Sequence, residues 1–505
     1  MAMLKMRRLV HNWTPTVFLL FLTIKFLQLF KKLGLRPKED GWRKITQVYL
    51  RTEQSKFALA CFGLAFSAEE EVIRGLVEFF RQHPATHWQL VWGNFCAKRI
   101  KKNEIDIVEA DFNDDGTLKG ITPFLDPSGE PLDSIDDKSR GELNRGFIEI
   151  YNRTKGLDDK KRPLVFKRQL KRWLSGTGMD RALAQRYIDR ILSSIIVHFE
   201  KMTSGQEYDR FSPPDFIKHK HPGYGVFNII CRLNDSTRES DLWFQCHHVC
   251  IDGLPMLEAL EDLKAKWAKD KEVVYPASTY RKDIAAGLCS TRDGKDSTYS
   301  IHRFVNFKHF VDAAHKANHE HIEHEKKCIT TFRLLLWKMG NHPVFRGKKF
   351  LIPMNLPGRN NRERSLGFVL IRPGLFFDRD DPEGAFLRFQ EEFNRQVKLT
   401  MLRKSENYEL FETYTFLPPV FYTLVSKILP SAAREFAGSI GVSIIDRADF
   451  FVAPSSDIHT DGFIAIGNFF KPTEDNAIVC PVSIKGPKDK IMDYLSAIEE
   501  IAREG

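Results

Sequence analysis

A chain of 505 residues can hold more than one hydrophobic core, and 42% hydrophobic with 28% charged residues excludes a disordered chain. Eight cysteines, scattered apart from the pair at 246 and 250, exclude a disulfide-stapled scaffold and point to reduced thiols on the cytoplasmic side. The net charge of +10 is local: residues 1–51 hold eleven Lys or Arg against Glu39 and Asp40, so the body is nearly neutral and is not expected to bind nucleic acid.

From Trp13 to Phe30 the chain is almost wholly apolar, with Lys5, Arg7 and Arg8 before it and Lys31 and Lys32 after it. The stretch is about the minimum length for a bilayer span. Lys25, Gln28 and Lys32 share one helical face, which favours a helix lying in a membrane interface; a span and a helix docked on the protein stay open. No small-residue cleavage site follows, so no removable leader is expected. Residues 1–40 therefore read as a segment that meets a membrane or docks, with 13–35 as the contacting part.

The body opens with a buried-strand run, Phe57–Phe66, and an acidic helix start at Ser67–Glu71 leading into Val72–Gln82. Short strands are expected near His87–Trp92 and Glu104–Ala110. The Asp, Gly, Pro and Ser content from Asp111 to Arg145 predicts a long mobile loop. Lys160–Trp173 reads as a basic helix with Leu164, Phe166, Leu170 and Trp173 on its apolar face, and Arg181–Lys201 as one long amphipathic helix. Val226–Leu233 and Leu242–His248 form an expected strand pair.

That pair runs into Cys246-His247-His248-Val249-Cys250-Ile251-Asp252-Gly253, followed by helical spacing from Leu254 to Lys269. Gly253 tolerates backbone angles other residues avoid, and Pro255 suits the first turn of a helix, so a strand, a turn and a helix follow one another. A side chain at such a junction is held rigidly with its tip accessible. Alternate strand residues point to opposite faces and no second ligand cluster accompanies them, so Cys246, His247, His248 and Cys250 are not expected to hold a metal.

The pattern His-His-x3-Asp-Gly resembles the active-site motif of the CoA-dependent acyltransferase superfamily. That group includes chloramphenicol acetyltransferase, the dihydrolipoyl acyltransferase cores, peptide-synthetase condensation domains and the wax ester synthase/diacylglycerol acyltransferases. The resemblance implies that His248 is the general base, that Asp252 fixes the turn through an ion pair with an arginine, and that His247 and Gly253 support the motif. A neutral imidazole with a pKa near 6.5 suits removal of an acceptor's proton at neutral pH. Substrate-binding residues and the oxyanion donor are not identified.

After a crossover near Tyr275–Lys295 the expected elements are a strand at Tyr299–Val305, helices at Phe307–Ala317 and Lys327–Met339, and a strand at Lys349–Asn355. His315, His319, His321 and His324 lie in so polar a run that a solvated connection between helices is expected, not a metal site. Ile352–Pro357 with Ser365–Val369 is similar to the Pro-x-Asn-Leu and Gly-Asn region of the condensation and wax ester synthase groups, with Phe368 where those often carry Asn. A helix from Asp381 to Gln396, a helical region Pro418–Arg434, and a strand at Ser439–Ile445 follow. Strands at Gly462–Gly467 and Ala477–Ile484 with a closing helix Asp489–Arg503 resemble the dihydrolipoyl acyltransferase core. The Asp-Phe-Gly-Trp-Gly signature of the plant branch is absent.

The expected fold is α/β (an α+β sandwich), with two chloramphenicol-acetyltransferase-like halves, 41–290 and 291–505, forming a pseudodimer and only the first carrying the motif. The resemblance implies a monomeric acyltransferase with no bound cofactor, taking acyl-CoA as co-substrate and an alcohol, amine or lipid as acceptor. Two alternatives are a transferase using a carrier-protein-bound donor and a non-catalytic binding protein that keeps the fold.

Overall fold

The computed structural model describes residues 56–86, 88–92, 97–101, 106–123, 135–157, 162–202, 227–247, 251, 253–269, 298–323, 331–356, 365–405, 440–445, 449–452, 461–467 and 477–504, together with residues 29, 33, 214, 216 and 408. The first half contains β1 (Lys56–Leu64), α1 (Glu69–Gln82), β2 (Trp88–Trp92), β3 (Ala97–Lys101), β4 (Ile107–Phe112), β5 (Leu118–Pro123), α2 (Asp137–Thr154), α3 (Arg162–Leu174), α4 (Arg181–Ser193), β6 (Ile195–Met202), β7 (Phe227–Asn234), β8 (Glu239–His247) and α5 (Gly253–Trp267). The second contains β9 (Thr298–Asn306), α6 (Lys308–Glu323), α7 (Thr331–Asn341), β10 (Phe350–Leu356), β11 (Ser365–Ile371), α8 (Pro382–Met401), β12 (Ile440–Ile444), β13 (Phe450–Val452), β14 (Gly462–Ile466), β15 (Val479–Pro487) and α9 (Lys488–Glu504).

The strand orders show an internal repeat. In the first sheet β1-β8-β7-β6-β4-β5 are neighbours, and in the second β9-β15-β14-β12-β10-β11. Pair by pair the directions agree as well: antiparallel for the first two pairs, parallel for the next two, antiparallel for the last. The fold is therefore two α/β halves of one topology, as the sequence predicts. Where the parallel pair β6–β7 is covered on both sides, both faces are buried and apolar, through Ile195-Ile196-Val197 and Ile229-Ile230-Cys231.

One face of the first sheet packs on α1 and α5. Val72, Leu76, Phe79 and Phe80 recur at helical spacing along α1, and the Phe79 and Phe80 rings lie 5.7 Å and 5.1 Å from those of Phe244 and Phe227. Burying such a side chain contributes roughly 1.5–3 kcal/mol. Ser67, one residue before the N-cap Ala68, ties the helix start down: its N–H and hydroxyl both donate to the Glu71 carboxylate, at 2.9 Å and 3.2 Å. On the opposite face, α2, α3 and α4 cover β4, β5 and part of β6. Over β1, β8 and β7 that face instead meets the second half: Ala58, Ala60, Phe62, Ile230 and Trp243 share a core with Phe304 and Val479.

Three expectations are corrected. The stretch 111–145 is no single loop. Its Asp and Gly residues form the turn of a β4–β5 hairpin, in which Asp115 accepts from the Thr117 N–H at 2.8 Å and Gly116 takes a φ of +73°. Asp136, accepting from the Ser139 N–H at 2.9 Å, caps α2. The second correction concerns 181–201: α4 ends at Ser193, because the β-branched run Ile195-Ile196-Val197 is claimed by the sheet as β6. Third, His315, His319 and His321 belong to α6, not to a connection. Phe310 and Ala314 bury the inner face of that helix. Among the described residues no cluster of His, Cys, Asp or Glu is arranged to hold a metal. The Tyr275–Lys295 crossover, the Pro418–Arg434 helix and His324 lie outside the described residues, as do residues 13–30 apart from Leu29.

The second half also sends a strand into the first sheet. β13 pairs with β1, making that sheet seven-stranded. Beside it β1 carries a bulge at Phe62–Gly63, with Gly63 at φ +64°. The amides of the bulge find carboxylates: Phe62 N–H donates to Asp449 Oδ2 and Gly63 N–H to Asp241 Oδ1, both at 2.9 Å. Asp449 is only 3% exposed and also accepts from the ammonium of Lys264, on α5. Asp449→Ala strips an acceptor from both partners and should lower the unfolding free energy by about 3 kcal/mol in urea titration. A loss below about 0.5 kcal/mol, the range of an ordinary surface change, contradicts the clamp.

His302 on β9, register partner of Ser483, is 1% exposed. Burial, with a smaller push from the charge of Lys485, lowers its pKa to about 3 from 6.5. The unfolded chain then takes up the proton first, so His302 costs nothing above pH 6.5 and progressively destabilises the fold as pH falls toward 3. Between pH 7.5 and pH 5 the loss should be about 2 kcal/mol greater in wild type than in His302→Leu, measured by urea unfolding. Equal pH slopes in the two proteins contradict this assignment.

Candidate functional site

The His-His-x3-Asp-Gly stretch spans the exit from the first sheet. β8 ends at His247 and α5 begins at Gly253, so strand and helix bracket the motif as the sequence predicts. His248 and Asp252 lie outside the described residues, and the side chain of His247 is likewise not described. No arginine partner for Asp252 is therefore assigned.

Around the motif the scaffold is closely fixed. β8 lies between β1 and β7, with Cys246 opposite Phe57 on one side and Phe227 on the other. Ile251, inside the motif, is 2% exposed and belongs to a core that includes Met256 and Leu260 of α5 and, from the second half, Ile445 and Ala465. The far end of α5 is tied back to β1 and the residues after it. Ala65 N–H donates to Trp267 O at 2.7 Å, and Lys269 N–H to Gly63 O at 3.1 Å. With the Lys264–Asp449 ion pair, these contacts hold the C-terminal end of the helix that leaves the motif.

Alternation along β8 separates two sets of side chains. Leu242, Phe244 and Cys246 enter the core under α1 and α5. Cys246 thus puts its sulfur in an apolar core, on the strand face opposite Trp243 and Gln245. The thiols of Cys61, Cys231 and Cys480 are likewise buried, and burial raises the pKa of each, which suits inert structural cysteines.

Trp243 and Gln245 occupy the other face, which meets the second half. Gln245 stands opposite Asn228 of β7 and Ala58 of β1, and both polar residues are buried. Across the interface, β15 and β9, which supply Val479 and Phe304 to the shared core, also carry three buried polar residues, Ser483, Lys485 and His302. Both sheets thus carry buried hydrogen-bonding groups on strands that contribute to the shared core. Sequence reading misses all five residues. The available signal is a glutamine breaking the apolar run Leu242–Cys246, and a histidine and a lysine inside strands of a second sheet.

The Ile352–Leu356 and Ser365–Val369 stretches, singled out by resemblance, fall on the paired strands β10 and β11, with Pro353 opposite Phe368. Phe368 is buried with Leu351 and Leu370, so it packs as a core residue.

No protein-family model matches the chain, and no curated protein does. Among solved structures, it is similar over 93% of its length to the wax ester synthase/diacylglycerol acyltransferase from Marinobacter aquaeolei VT8, with 98% of that chain covered, 10% identity and a TM-score of 0.42. It is also similar to the first condensation domain of the CDA synthetase, at 11% identity, 92% of this chain and 93% of that one, with a TM-score of 0.44. A third is the epimerization domain from the third module of tyrocidine synthetase B, at 11% identity, 90% and 92% coverage, and a TM-score of 0.42.

Proposed function

We propose that this protein is an acyltransferase that moves an acyl group from an acyl-CoA thioester to a hydroxyl or amine acceptor, with His248 as general base. The observation that carries the reading is the junction itself. A motif of acyltransferase type begins where β8 ends and closes where α5 begins, at the end of the sheet held against the second half.

In this reading the acceptor's oxygen or nitrogen attacks the thioester carbonyl as the imidazole of His248 takes its proton. The tetrahedral intermediate collapses by breaking the carbon–sulfur bond, and the imidazolium returns the proton to the departing thiolate. The products are the acylated acceptor and free CoA thiol. Asp252 serves as the residue that shapes the turn and so aims the histidine, and His247 and Gly253 support it. Only the first half carries the motif, so one chain holds one site.

The basic, apolar N-terminal segment supplies a second part of the proposal: the protein associates peripherally with an anionic membrane through residues 13–35, on the cytoplasmic face. Leu29 and Leu33 are 51% and 67% exposed, and Leu33 N–H donates to Leu29 O at 3.0 Å, one helical turn apart. Two leucines on one exposed helical face support an interfacial contact. Among the described residues no helix is long and apolar enough to cross a membrane.

Acyl transfer is tested by free-thiol release from a panel of acyl-CoA donors with alcohols and amines, with mass detection of the acylated product. His248→Ala should fold normally and lose activity by about 10²–10⁴-fold; near wild-type turnover sinks the assignment. Asp252→Asn should lower both activity and melting temperature, and an unchanged variant on both counts argues against its turn-shaping role. For the membrane, full-length protein and a form starting at residue 41 are compared by flotation on anionic vesicles. Binding by the full-length protein alone, weakened by salt, is expected; a full-length protein that stays soluble at low salt while the shortened form aggregates places the segment within the fold instead.

A further inference from the structure

Gln245 is 7% exposed, and its Oε1 is buried with no hydrogen-bond donor among the described residues. It sits two residues before the end of β8, on the strand face that meets the second half, beside Asn228. A buried amide oxygen left unmatched lowers stability, because the group has given up water and gained nothing in exchange. Ala58 beside it on β1 and Trp243 before it on the same face are apolar and buried, so an aliphatic residue fits this position on packing grounds. A cost kept at the exit toward the motif points to a ligand that supplies the missing donor.

We propose that Gln245 is a substrate-positioning residue whose Oε1 accepts a hydrogen bond from an N–H of the substrate. The inference rests on the acyl-transfer reading and deepens it. The donor is an N–H for a chemical reason. A reacting hydroxyl has one hydrogen, which the base must take, and a hydrogen bond from it to Gln245 competes with that transfer. A primary amine keeps a second hydrogen after the base has taken the first, and a secondary amide presents an N–H that no base needs. Two sources offer this chemistry: an amine acceptor, and the pantetheine amide of the thioester donor, whose nitrogen lies two carbons from the sulfur. Either would engage Gln245 in the ground state as well as during reaction, so its effect belongs chiefly to substrate affinity.

The test uses full-length wild type, Gln245→Leu and Gln245→Met. Each is measured for melting temperature and for kcat and KM, with acyl-CoA or the matching S-ethyl thioester as donor and an amine or an alcohol as acceptor. Because the amide oxygen has no donor among the described residues, the variants should melt no lower than wild type, while kcat/KM falls about tenfold, mostly through KM. If the loss vanishes with the S-ethyl thioester, which lacks the amide, the donor's pantetheine supplies the N–H. If it persists there and is confined to amine acceptors, the acceptor does. Either pattern supports the proposal. Unchanged kinetics in both variants overturns it, and so does an equal loss for every pair, including the S-ethyl thioester with an alcohol. Wild type that releases no thiol from any donor overturns the acyl-transfer reading and this inference together; active wild type with unaffected variants overturns this inference alone.

Discussion

One buried carboxylate ties the two halves at the place where the motif needs support. Asp449 comes from the second half, yet it caps an amide of the bulge in β1 and pairs with Lys264 on the helix that leaves the motif. A bulge exposes amides that no neighbouring strand can match, and each buried amide must find an acceptor elsewhere. Asp449 and Asp241 meet that need, and the strand, the helix and the crossing segment around β13 become one unit. Rigidity at this junction is what a positioned base requires, since misplacement by about an ångström removes much of the benefit of proximity.

The two halves share a strand order, but they differ where the motif lies. β8 and β15 correspond, each pairing on one side with the first strand of its half: His247 with Lys56, and Pro487 with Thr298. After His247 five residues intervene before the helix; after Pro487 the helix begins at once. The second half therefore has no turn in which a His-His-x3-Asp-Gly motif could sit. By the same correspondence Gln245 matches Lys485, and both are buried. The sheet is common to the two halves, while the polar residues on the corresponding strands differ.

Much of this architecture is legible in the sequence because strands and helices buried on one face leave a periodic signal. The strand pair before the motif, the helix after it, and most elements of the second half follow from spacing, while β11 and the short β13 do not announce themselves as strands. Sequence and structure part where local composition and tertiary context disagree. Polarity does not distinguish a mobile loop from a hairpin turn, so the Asn113–Thr117 turn reads in sequence as part of a longer loop. The Ile195-Ile196-Val197 run sits at the end of a convincing helical pattern, and only its pairing with β4 and β7 makes it a strand. At the site, the motif stands out because its residues are contiguous. Gln245, Asn228, Asp449 and Lys264 do not, because their meaning depends on partners between 17 and 387 positions away in the chain.

The central claim is that a histidine at the exit of β8 acts as a base on an acyl acceptor. Its most direct test is the pH dependence of kcat/KM for acyl transfer in the wild-type protein, from about pH 5 to pH 9. With an alcohol acceptor, which does not itself titrate in this range, a neutral imidazole predicts a rate that rises with a single pKa of about 6–7 and then levels off, because only the unprotonated form can take the acceptor's proton. A rate independent of pH across that range, with transfer still occurring, contradicts the account.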